Sequence, residues 1–128
     1  MMKFLNVDLE IASRSSLEPL DAELGPRLFA LYRGHEGKLD RAHYETRHQY
    51  DDAETCLRAM LRVLHRMSPK ARRCWRGATV RDFSVGVQSG AKPFSFEAPI
   101  SAATLADVAK LGGRIVLTVY APPTTRRR

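Results

Sequence analysis

Arg114-Ile-Val-Leu-Thr-Val-Tyr120 carries no charge after its first residue. Ile115, Leu117 and Val119 line one side of the run; Val116, Thr118 and Tyr120 line the other. A run that is apolar on both faces reads as a strand in the middle of a sheet. What precedes it says how that sheet is built. Ser101 is placed to cap a helix through Leu111, and Gly112-Gly113 is placed to stop it. Helix, glycine stop and buried strand make the second half of a β-α-β unit.

Further upstream, residues 80–88 read as a strand with Phe83, Val85 and Val87 inward. Phe94, Phe96, Ala98 and Ile100 alternate in another run, which Pro93 and Pro99 assign to an edge. At the N-terminus, residues 3–12 alternate cleanly. Leu5, Val7, Leu9 and Ile11 face one way, and Asn6, Asp8 and Glu10 the other. Ser15 or Ser16 is expected to cap a short helix over 17–24, with Pro19 in its first turn and Gly25-Pro26 as its stop. Residues 27–33 form an apolar strand, Gly34-His-Glu-Gly37 a hairpin turn, and residues 38–48 a returning strand. Neither face of that third strand is apolar throughout, so it is expected at an edge or exposed on one side.

The helix after it is the best-signalled element. Asp51 and Glu54 have capping-box spacing, and Leu57, Met60, Leu61, Leu64 and Met67 recur at helical spacing. Ser68-Pro69 opens a second short helix to Arg76, which Trp75 is expected to pack onto the body. The expected fold is α+β. A mostly antiparallel sheet in β-α-β-β-α-β order is followed by a further β-α-β, with helices on one face.

Composition sets outer limits. The chain has 128 residues, 44% hydrophobic and 27% charged, which fits one globular domain over 1–123. Residues 124–128 are expected to be a basic, disordered tail. No stretch is long and apolar enough for a membrane span, and the first residues read as a strand rather than a signal peptide. A cytoplasmic location is therefore expected. Cys56 and Cys74 are then expected to be buried free thiols.

The net charge is +7, of which Arg126, Arg127 and Arg128 supply three. Within the domain, Arg58, Arg62 and Arg66 stand four apart, opposite the apolar stripe of their helix. Lys70, Arg72, Arg73 and Arg76 continue the run. Arg58, Arg62, Arg66 and Arg73 are the candidate partner-binding residues. Such a surface attracts phosphate backbones, but no stacking aromatics interleave it and no recognition-helix motif is present. An acidic protein partner suits it equally well, and the bland alternative is a solvated helix face.

Signals for chemistry are sparser. Asp8 and Glu10 share a strand face, and His43, Glu45 and Arg47 join them if the third strand lies alongside. Paired carboxylates with a histidine suit acid–base work, whereas a solvated row of cross-strand ion pairs uses the same residues. His43-Tyr-Glu45 has the H-x-E form of zinc deaminases, but the downstream pair of cysteines that the signature needs is missing. No H-x-x-x-H pair, nucleophile elbow or glycine-rich phosphate loop occurs. No cofactor and no metal is expected.

Phe83-Ser-Val-Gly-Val87 and the run from Thr104 to Tyr120 resemble a pattern in small uncharacterised bacterial α+β proteins. Some proteins of that kind are toxin-immunity-like and act by binding. The resemblance covers the last third of the chain and includes no functional motif. It implies a bacterial α+β protein whose business is binding. The leading expectation is a non-enzymatic protein-interaction module, with an immunity-like role as the form the resemblance implies. The alternative is a nucleic-acid-binding accessory protein using Arg58, Arg62 and Arg66. An enzyme with an Asp8/Glu10/His43 site ranks third.

Overall fold

The computed structural model describes residues 1–122. The basic tail expected at 124–128 lies outside them. Nine elements follow along the chain: β1 (Lys3–Ser13), α1 (Glu18–Leu24), β2 (Phe29–Glu36), β3 (Leu39–Glu45), α2 (Ala53–His65), α3 (Pro69–Arg76), β4 (Val80–Gln88), α4 (Ala102–Lys110) and β5 (Arg114–Tyr120). The five strands form one sheet in the order β2-β3-β1-β4-β5. Every pairing is antiparallel except β4 with β5. The first four strands thus have the split β-α-β arrangement, and β4-α4-β5 adds a parallel unit at one side. No described helix is long and apolar enough to cross a membrane.

Period-2 alternation makes the sheet two-faced. Val7, Leu9 and Ile11 of β1, Ala42 and Tyr44 of β3, and Phe83, Val85 and Val87 of β4 enter one hydrophobic cluster. Leu57, Met60, Leu61 and Leu64 of α2 close over them, as the stripe predicts. Trp75 anchors α3 in the same cluster, and its Nε1 donates to the Leu111 carbonyl at 2.7 Å. Among the described residues, the opposite face of the sheet carries no helix.

Caps explain where the helices stop and start. Asp52, not Asp51, caps α2 and accepts the Thr55 N–H at 2.8 Å. Glu54 does not complete a capping box. It reaches α4 instead, where it accepts the Ser101 N–H at 2.8 Å and the Thr104 hydroxyl at 2.8 Å. Gly112 takes φ 70° after α4, and Gly113 N–H returns to the Val108 carbonyl at 3.0 Å. That is the left-handed glycine stop read from Gly112-Gly113. At α1 neither serine side chain caps the helix. The N-cap is Leu17, whose N–H donates to Asp40 Oδ2 at 2.7 Å.

Three further expectations are corrected. β5 lies at the edge of the sheet, not in its middle. β4 already has β1 on its other side, so the α4 crossover leaves β5 outermost. The run around Phe94–Ile100 is not a strand. Its alternation reports packing alone: Phe96, Ala98 and Ile100 lean on the core, and Phe94 is fully exposed. The further β-α-β therefore reuses β4. The hairpin turns at Gly37, with φ 64°, and Glu36 pairs with Leu39. β3 takes the second of its two expected places: it lies inside the sheet with Asp40, Ala42 and Tyr44 buried on one face and the other face half-exposed, while the apolar β2 takes the edge, with Phe29, Leu31 and Tyr32 exposed.

Candidate functional site

The apolar stripe of α2 faces the sheet, which turns Arg58, Arg62 and Arg66 outward, but the three part company. Arg58 lies 3.4 Å from both Glu54 and Asp107 and ties α2 to α4. Arg62 and Arg66 are exposed and line a groove of about 400 Å³. Arg27, from the turn after α1, and Arg47 and His48, from the loop after β3, line it too. The remaining wall is Leu28, Thr46, Tyr50, Ala59 and Val63. Arg73 lines a separate groove, beside Ser13, Ser15 and Cys74. Arg72 donates to the His65 and Met67 carbonyls at 2.8 and 3.1 Å, capping the end of α2. The expected basic row is thus divided between structural work and two grooves. Arg27, Arg47 and His48 were missed because they were read as strand residues, whereas β2 begins only at Phe29 and β3 ends at Glu45, which leaves all three on connections.

The open sheet face brings together the residues expected there. Glu10 stands between His43 of β3 and Asp82 of β4, and His43 Nε2 lies 3.6 Å from Glu10 Oε1. Asn6 donates to Asp8 at 3.1 Å and to Glu45 at 3.0 Å. Burial raises the Asp8 carboxyl above its ordinary pKa, and the nearby charges of Glu45 and Glu10 push the same way. His43 opposes them. Arg114 grips Asp82 through two contacts of 2.8 and 3.0 Å. Arg47 lies beyond this face, in the basic groove. Among the described residues, no three His, Cys, Asp or Glu side chains are grouped to hold a metal ion. The face is a row of paired cross-strand groups, and the hydroxyl opposite Asp8, that of Ser84, is hydrogen-bonded to Thr118 at 2.8 Å rather than to a base that would make it a nucleophile.

The cysteines do not supply one. Both are free; Cys56 is buried and Cys74 half-buried. Burial pushes each thiol up, away from the thiolate form.

The β5 edge is the feature that sequence reasoning placed wrongly. Leu117 is 65% and Val119 58% exposed, and Tyr120 ends the strand half-exposed. Among the described residues nothing pairs with its outer edge. Beside it lies a cavity of about 410 Å³ with a mostly apolar lining that includes Val85, Val87, Phe96, Ile100 and Ile115. The signal was present: residues 115–120 lack any charge whether the strand is buried or meant to be covered.

Comparison with known proteins gives no match at any of three levels: family models, curated proteins and solved structures.

Proposed function

We propose that this chain is a non-enzymatic protein-interaction module that takes an extended, acidic segment of a partner protein along β5. The observation that carries this reading is the uncharged, exposed β5 edge next to its apolar cavity. An edge strand offers a row of unpaired backbone donors and acceptors, and proteins normally blunt it with charge, proline or a bulge. Residues 115–120 have none of these. The other edge, β2, is blunted: its pairing is irregular between Ala30 and Tyr32, and Arg33, His35 and Glu36 occupy its outer half. An added strand would pair its backbone with β5, and its alternate side chains would cover Leu117 and Val119.

Charge selects the partner. At +7, two copies of the chain repel one another, whereas an acidic protein is drawn in. Arg62, Arg66 and Arg73 contribute to steering that encounter rather than to the contacts at β5, and the resemblance to immunity-like proteins points to binding as well. Nucleic-acid binding by the helix row is less favoured, because Arg58 is already ion-paired within the fold. An enzyme at Asp8, Glu10 and His43 ranks lower still, because those side chains already pair with their neighbours.

Peptides selected from a random 12-residue display library against the purified chain test this reading. Alternating apolar sequences flanked by Asp or Glu are expected. Leu117→Lys with Val119→Lys should weaken them at least about tenfold, which is roughly 1.4 kcal/mol. Its melting temperature should hold, since both positions are exposed. Peptides that bind the variant equally well would refute the reading. So would a concentration-dependent dimer abolished by the same substitutions, because the edge would then belong to a second copy.

A further inference from the structure

The groove between α2 and the two connections that face it has a composition unlike the rest of the surface. Four guanidinium side chains and one imidazole line it, and no carboxylate does. Elsewhere, Arg33, Arg41, Arg58 and Arg114 each lie within 4.0 Å of an acid, and Arg72 and Arg81 are engaged by backbone carbonyls. Arg27, Arg47, Arg62 and Arg66 make no such pair among the described residues. Glu23 is the acid whose charge reaches Arg27, and it is engaged by the N–H and hydroxyl of Ser68. Like charges converging from three separate segments repel one another, and a bound anion is what relieves such repulsion.

We propose that this groove binds a small, multiply charged phosphate ligand, of the diphosphate or nucleoside-triphosphate class. Several guanidinium forks match phosphate oxygens, and four of them exceed what one carboxylate could engage. At about 400 Å³ the groove has the size of a small-molecule site. Leu28, Ala59 and Val63 give it an apolar floor, which strengthens the charge contacts above, and Tyr50 offers a ring for a flat body. Arg47 donates to the Gly25 carbonyl at 3.5 Å, which links the two connections at the mouth of the groove.

The basic surface does not run on as a track for a nucleic-acid strand. Arg58 is spent on Glu54 and Asp107, Arg72 on backbone carbonyls, and Arg73 belongs to another groove. A closed patch of charge beside an apolar floor suits a compact ligand better than a polymer.

Isothermal titration with inorganic pyrophosphate, ATP and a mixed-sequence 12-nucleotide DNA, at two salt concentrations, tests the assignment. One-to-one binding of pyrophosphate or ATP is expected. The two ligands separate the anion's contribution from that of the base. Arg47→Ala with Arg62→Ala should weaken binding at least about tenfold, since each substitution removes a charge-assisted bond to the anion. Arg73→Ala should leave it unchanged, and the melting temperatures of both variants without ligand should match the parent. Absence of saturable pyrophosphate and ATP binding at millimolar concentration would overturn the proposal, as would equal binding by the double variant. Tighter, steeply salt-dependent binding of the DNA would assign the groove to nucleic acid instead. The β5 reading survives any of these results.

Discussion

Asp40 is the buried charge on which the β3–α1 junction turns. It is 3% exposed, accepts the Leu17 N–H at 2.7 Å, and pairs with Arg33, which also lies 3.7 Å from Asp21. Burial alone would raise its pKa. The Leu17 N–H and the Arg33 guanidinium outweigh burial, and the carboxyl ends below its ordinary value. Asp40→Ala removes a charge-assisted hydrogen bond of roughly 1.5–3 kcal/mol and leaves a buried N–H unpaired at roughly 1–3 kcal/mol. Arg33 regains some water, because a quarter of its side chain is exposed. A net loss of about 3 kcal/mol follows, or roughly 10–15 °C in melting temperature for a chain of this size. Asp40→Asn keeps an acceptor for Leu17 and should lose about half as much. Because the folded pKa is lowered, the stabilisation is complete above the ordinary carboxylate range and disappears as pH falls through the folded value. Urea unfolding at pH 7 and pH 3 measures both effects. A loss under about 1 kcal/mol at pH 7, or a parent-to-Asn gap that stays constant down to pH 3, would refute the reasoning.

Two further outcomes follow from the core and the caps. Leu61 is 2% exposed, so Leu61→Ala should cost about 2–5 kcal/mol, while the adjacent Arg62→Ala stays within about 0.5 kcal/mol. Urea unfolding of the pair checks which face of α2 is buried. Glu54→Gln should loosen α4, because the Ser101 N–H and the Thr104 and Ser101 hydroxyls all donate to that carboxylate. The Ser101 N–H is foremost among the groups that hold its pKa below the usual value, so protection of α4 depends on it above that range and fades as pH falls below it. Hydrogen exchange should speed in α4 and not in β1; equal rates throughout would contradict the link.

Much of the fold follows from local pattern. The α2 stripe, the alternation of β1 from Val7 onward and the Gly112-Gly113 stop each rest on one periodicity or one backbone angle, and each is where the sequence places it; at Leu5 a bulge breaks the alternation and Phe4 meets the core instead. Asp8, Glu10 and His43 came together because strand period and antiparallel pairing leave few other options. What local pattern does not carry is neighbourhood. A strand apolar on both faces looks the same whether a second strand or empty space lies beside it, so β5 was read as central. Alternation in Phe94–Ile100 records contact with the core, and two prolines prevent it from becoming a ladder. Nothing in the sequence around Asp40 marks it as a buried charge, because its partners, Leu17 and Arg33, belong to other segments. The groove was invisible for the same reason, since Arg27 and Arg47 lie 20 residues apart on different connections.

The two proposed surfaces are also far enough apart to be dissected. The groove opens where the chain enters β2 and leaves β3, while the partner edge is β5. β1 and β4 lie between β3 and β5, so three strand spacings of about 4.8 Å separate them, roughly 14 Å. The Debye length at physiological salt is about 8 Å, so a charge placed in one surface is mostly screened at the other. Substitutions more than about 7–10 Å apart with no shared partner add independently. Combining Arg62→Ala with Leu117→Lys should therefore give the sum of the single effects on each ligand. Phosphate affinity should follow the first substitution and peptide affinity the second. A coupling beyond about 0.5 kcal/mol would mean that the surfaces communicate through the sheet or that one ligand spans both, and the division of labour argued from β5 and the groove would fail.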